Sequence, residues 1–148
     1  MNKTKITHII TVALAFVAML LPWGAVCRFI SQEQSGLQQE TFKTYSYFDL
    51  FPLTHSNFAP FMCAVMTVLL LLLLGYLYFS DETKPLQIAM VVLSCVAFAL
   101  SLFPLIFYGI KFFNMTALTI SFLLGCSAFM SAQRITGLYF QEEEQEDE

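Results

Sequence analysis

The side chains that could carry chemistry in this 148-residue sequence are four cysteines, two histidines and a few acids outside the C-terminal end. Cys27, Cys63, Cys95 and Cys126 each stand alone in apolar surroundings. With no C-x-x-C pair and no histidine at ligand spacing, zinc, haem attachment and thioredoxin-like redox chemistry have no framework. Thiols so placed behave as small buried hydrophobes. Cys27 and Cys63 fall toward the same end of neighbouring apolar segments, which leaves a disulfide between them geometrically open. His8 begins the first apolar segment and His55 lies in the polar stretch after it. Segments that cross a bilayer would put the two on opposite sides, so they share no metal or haem site and are expected at surfaces or interfaces. Glu33, Glu40, Asp49 and His55 are the groups from which an enzyme would have to draw its acid, base or nucleophile. They lie in one loop without catalytic spacing, so neither enzyme activity nor a cofactor is expected.

The elements that must position these residues are legible from length. Hydrophobic residues make up 57% of the chain and charged ones 12%, where a soluble domain carries about a quarter of its residues as charges. Four apolar runs, 6–27, 58–80, 85–110 and 112–133, each exceed the ~20 residues that a helix needs to cross a ~30 Å hydrocarbon core. Helices of a soluble protein rarely run so long without a polar face. The pattern predicts an all-α integral membrane protein, a four-transmembrane-helix bundle in one domain. Lys3 and Lys5 before the first run could open a signal peptide, but Val26 and Cys27 fit a cleavage site poorly, so the run reads as a retained anchor.

Residues 81–85 form a short polar turn ending in Pro85, which makes the second and third helices antiparallel neighbours. A tight turn over 111–114 does the same for the third and fourth. Pro60 falls harmlessly in a first turn, whereas Pro22 and Pro104 lie inside their segments and predict a kink at each. Lys3, Lys5, Lys84 and Arg134 on one side outnumber Arg28, Lys43 and Lys111 on the other, which predicts both termini on the cytoplasmic side of the cell membrane.

The loop 28–57 is the one sizeable extramembrane segment. Residues 31–40 are polar and read as solvated. From 46 to 53 aromatic residues interleave with polar ones, as at a membrane interface, and predict one or two helical turns. Tyr45, Tyr47, Phe48, Asp49 and Phe51 form a candidate lip for a partner or ligand there. In the fourth helix Ala117, Ser121 and Gly125 recur every four residues, continued by Ala128 and Ala132, a face that lets helix backbones approach closely. Ala97 and Ser101 do the same in the third, while much of the run 69–74 is expected to face lipid. The last segment, 141–148, holds six acids and reads as a disordered, solvated tail. Without it the chain is slightly basic, with no positive stripe for nucleic acid. Asn114-Met115-Thr116 matches a glycosylation sequon.

Small multidrug-resistance exporters depend on a glutamate in the first helix, quinone-coupled disulfide-forming proteins on a C-x-x-C, and claudins on a tryptophan and paired-cysteine signature in their first loop. None of these stands here. The sequence therefore favours a non-enzymatic accessory or scaffold subunit that binds other membrane proteins, or itself, within the lipid bilayer. An oligomeric carrier or pore for a small apolar or weakly polar solute is the alternative.

Overall fold

The computed structural model describes residues 3–32, 38–49, 58–80 and 83–146. Helix α1 (Lys3–Leu20) leads into strands β1 (Ala25–Gln32) and β2 (Gln38–Tyr45), followed by α2 (Ala59–Phe79), α3 (Lys84–Tyr108), a 3-10 turn (Ile110–Phe112) and α4 (Met115–Glu146). All four α-helices are long and apolar enough to cross a membrane. Each packs on the next, and α4 closes the ring on α1.

The buried positions explain the bundle. Along α3 they are Gln87, Met90, Ser94, Ala97, Ser101 and Pro104, alternating steps of three and four residues. His8, Val12, Ala15 and Met19 do the same on α1. A repeat near 3.5 keeps one stripe of a helix facing its neighbours along a near-parallel bundle. Many large apolar side chains point the other way: Leu72, Phe79, Ile106, Phe122 and Phe129 are well exposed. The interior combines large apolar side chains such as Met19, Leu70 and Leu124 with small polar groups, among them Thr67, Ser94, Ser101, Ser127 and Ser131. An apolar surface of that extent marks a face for lipid or for a protein partner.

Several expectations are corrected. The first apolar run is not helical to residue 27; α1 stops at Leu20, and residues 25–27 are already strand. Pro22 thus ends a helix instead of kinking one, because Pro22-Trp23-Gly24 combines a missing amide donor with a residue of low helix propensity. The chain is not all-α either. Ala25 pairs with Tyr45 and Gln32 with Gln38 in an antiparallel hairpin that includes part of the stretch read as solvated. Val26, Phe29, Ile30, Thr41, Phe42, Thr44 and Tyr45 are β-branched or aromatic, the types that suit a pleated surface. At the other end of the chain, α4 continues to Glu146, beyond the expected end at 133 and through most of the acidic segment. Glutamate and glutamine are good helix formers, so the polar composition changes the helix's surroundings without stopping it.

Pro104 does lie inside α3, and that helix ends at Gly109, whose φ of +85° suits a residue without a β-carbon. The fourth helix starts at Met115, not 112, because the 3-10 turn occupies Ile110–Phe112. Of the leucine run, Leu70 and Leu74 belong to the core while Leu69 and Leu72 are exposed.

Candidate functional site

Three features could bear function: the hairpin cap, a polar seam inside the bundle, and a groove between α3 and α4. The cap is built on the last turn of α1. A helix end leaves carbonyls without intrahelical donors, and here the Met19 carbonyl accepts the Tyr47 amide at 3.1 Å and the Ser46 hydroxyl at 2.9 Å. Asp49 Oδ2 accepts the Ser46 amide at 2.8 Å, and the Phe48 amide donates to Ser46 Oγ at 3.2 Å. The result over 46–49 is a hydrogen-bonded turn rather than the expected helical turns.

This turn drives Tyr47 into the core, where it is 1% exposed among Ala15, Met19, Ala25, Cys63, Ala97 and Ile120. Burial pushes the Tyr47 phenol up from its ordinary range, and the neighbouring Cys63 thiol adds to the effect. Gly24 makes room for the ring: a β-carbon there would stand 2.6 Å from Tyr47 Cδ2. Phe48 meets Phe16 of α1 edge-on, with centroids 5.5 Å apart. Of the candidate lip, then, Tyr47 is an internal plug, Tyr45 and Phe48 are half-buried, Asp49 is exposed, and Phe51 lies outside the described residues, as does His55.

Asn114 ties the cap to α4. Its Oδ1 accepts the Ala117 amide at 2.9 Å, an N-cap bond, while its Nδ2 donates to the Trp23 carbonyl. The side chain of the sequon is thus engaged in structure. Phe42 of β2 packs edge-on against Phe112 of the 3-10 turn at 5.6 Å.

The candidate disulfide is not formed. Cys27 and Cys63 are both buried free thiols. Ending α1 at Leu20 carries Cys27 out onto β1, where it pairs with Lys43. Cys63 stays within the bundle and donates to the Ala97 carbonyl of α3 at 3.3 Å. Burial pushes the Cys27 thiol up.

The polar seam lies toward the end of the bundle opposite the hairpin. His8, expected at a surface, is 0% exposed, and its Nε2 lies 2.8 Å from Ser127 Oγ. Ser94 and Ser131 hydroxyls meet at 3.0 Å across α3 and α4. Their oxygens also lie 2.7 Å from the Met90 carbonyl and 2.9 Å from the Ser127 carbonyl respectively. Each hydroxyl has one proton, so only one of them donates to its carbonyl while the other bridges the helices. A serine within hydrogen-bond reach of a histidine has the spacing of a nucleophile and its base. In this packing neither is reachable, since Ser127 is also 0% exposed, and His8 Nδ1 has no partner among the described residues to orient the ring. The pair acts as a helix-to-helix tie. Its sequence signal was the heptad stripe that aligns His8 with Val12, Ala15 and Met19. Among the described residues, no group of three metal-ligating side chains assembles.

On α4, Ala117 and Ser121 are buried and Gly125 is half-buried, with Phe98 of α3 so close that a β-carbon would stand 3.1 Å from Cε2. Farther along, the buried face passes through Leu124, Ser127 and Ser131, and Ala132 is exposed. No family model matches the chain, and neither does any curated protein or solved structure.

Proposed function

We propose that this is a four-span protein of the cell membrane with both termini cytoplasmic, acting as a non-enzymatic accessory or scaffold subunit for other membrane proteins. The observation that carries this reading is the hairpin cap. A segment between two helices that merely connected them could be loose. This one is folded into paired strands and anchored to α1 through the Met19 carbonyl and the Tyr47 plug. It holds Thr41, Phe42, Lys43 and Thr44 of β2 exposed on a fixed frame beyond the bundle. A rigid presented surface loses little conformational entropy when a partner binds, which favours recognition.

The test is purification in mild detergent with a photocrosslinking residue at Thr44. A membrane subunit should co-purify in fixed stoichiometry, crosslink at Thr44, and be lost when Tyr47→Ala loosens the cap. A chain that purifies alone, with no crosslink at Thr44, would overturn the reading. Reporter fusions check the topology: one after Glu148 should be active only in the cytoplasm, and one at Gly36 only outside.

The polar seam favours a second reading, a carrier for a small weakly polar solute. Intramembrane ionisable groups often mark a translocation path, and His8 is such a group. Solute flux in liposomes that Ser127→Ala abolishes would support it.

A further inference from the structure

Aromatic rings form a continuous chain around the end of the bundle that carries the hairpin. Phe58, just before α2, meets Phe103 of α3 at 5.2 Å, and Phe103 stacks on Phe107 at 4.1 Å. Tyr108 lies 6.3 Å from Phe103 and 5.5 Å from Phe112 of the 3-10 turn. Phe112 in turn meets Phe42 of β2 at 5.6 Å. Rings gathered at one end of a membrane bundle mark the level of the lipid headgroups. Two exposed cations flank the hairpin end of this chain, Arg28 and Lys111. Arg28 is the cross-strand partner of Phe42, so the two share one face of the hairpin, with β-carbons about 4.5–5.5 Å apart. Lys111 immediately precedes Phe112, and β1 packs against their turn. Lys43 belongs to the opposite face, where its ammonium stands 5.4 Å from the centre of the Phe29 ring. Asp49 accepts the Ser46 amide over the end of α1.

We infer that the hairpin and the 3-10 turn together hold the headgroup of an anionic phospholipid. Arg28 and Lys111 take its phosphate, and Phe42 and Phe112 bed its glycerol and first acyl carbons. The inference rests on the membrane placement proposed above, but not on the accessory role. Charge selects the phosphate. A guanidinium presents a planar fork of donors that matches phosphate oxygens, and an ammonium adds a compact second charge. Position selects the lipid. The two cations stand beside rings that continue along the bundle end, next to Ile110, which is 79% exposed. A dissolved anion needs no such apolar bed, whereas an acyl chain does. A zwitterionic headgroup would bring its own ammonium up to Arg28 and Lys111, and like charges at that range repel. A headgroup without a cation, such as phosphatidylglycerol, meets no such penalty. Thr41 and Lys43 lie on the opposite face of β2 and stay open to a protein partner.

The test uses the full chain, with resistance to carbonate extraction from phosphatidylcholine vesicles establishing membrane placement independently of the headgroup. Protein in mild detergent with equal amounts of phosphatidylglycerol and phosphatidylcholine is then examined by native mass spectrometry. Retention of one phosphatidylglycerol in preference to phosphatidylcholine is the expected result. Arg28→Gln and Lys111→Gln should each weaken that retention about fivefold, the effect of one basic side chain near a lipid surface. The double variant should lose the preference altogether. Arg28→Lys keeps the charge without the fork and should retain part of it. Lys3→Gln, at the other end of the bundle, should change nothing, and melting temperatures without added lipid should match the parent for all of these exposed positions. Equal retention of the two lipids by the parent would overturn the inference, as would a preference that survives in the double variant or is lost in Lys3→Gln. Displacement of phosphatidylglycerol by inorganic phosphate would overturn it in favour of a dissolved anion.

Discussion

Tyr47 lies directly on the bare Cα of Gly24, so that any β-carbon at position 24 would collide with the ring at 2.6 Å. The contact joins the start of the hairpin to its end and lowers both onto the bundle core. Gly24→Ala is therefore expected to expel or tilt Tyr47 and to destabilise the protein by about 1–3 kcal/mol, the usual cost of overpacking. Gly75→Ala is the control: nothing lies within 4 Å of a β-carbon there. Near the C-terminal end of α2 the added methyl should be neutral or stabilise by up to ~1 kcal/mol. Thermal melts of the two variants in the same detergent check the contrast, and equal shifts would refute the role given to Gly24.

Asn114 performs two tasks that substitution can separate. Asn114→Asp keeps the oxygen that accepts the Ala117 amide but loses the donor to the Trp23 carbonyl. Asn114→Ala loses both. Alanine should cost about 1 kcal/mol or more from the missing cap alone, and aspartate should fall between alanine and the parent. Chemical denaturation in mixed micelles gives the order. An aspartate variant as unstable as alanine would place the weight on the Trp23 bond.

The His8–Ser127 tie calls for a double-mutant cycle. Ser127→Ala alone would leave His8 Nε2 without its partner in addition to Nδ1. A buried group left unsatisfied costs about 1–3 kcal/mol, whereas replacing both partners with apolar groups is close to neutral. Ser127→Ala is thus expected to destabilise more than the pair His8→Leu with Ser127→Ala. Measured stabilities that simply add across the cycle would show that the 2.8 Å contact contributes no coupling.

The four apolar helices were legible in the sequence because length and the absence of charge suffice to reveal them. The hairpin was not. Its strands mix Gln, Ser, Thr and Lys with a few aromatics, so no clean alternation marks them, and their pairing depends on Tyr47 docking into a core formed by distant helices. His8 was misplaced for a related reason. Its position near the start of α1 suggests an interface, and only the packing of α4 against α1 encloses it. Of the residues marked as a lip, the aromatic character was visible but its direction was not. A ring at a bundle end can face lipid, water or core, and the Met19 carbonyl decides for the core by capturing the Tyr47 amide.

Burial of Tyr47 also predicts how the cap responds to base. The buried phenol is held neutral well above its ordinary range, chiefly by desolvation and secondarily by the Cys63 thiol beside it. In the unfolded chain the same phenol ionises near pH ~10. The folded state therefore binds the phenolic proton more tightly, and linkage fixes the sign. The contribution of Tyr47 is fully present below pH ~10 and declines as pH rises beyond it. The parent should lose stability between neutral pH and pH ~11 more steeply than Tyr47→Phe, which keeps the ring and has nothing to titrate. Melting temperatures of the two proteins, taken in parallel across that range, give the comparison. Parallel pH profiles would mean that Tyr47 stays in contact with water and does not plug the bundle.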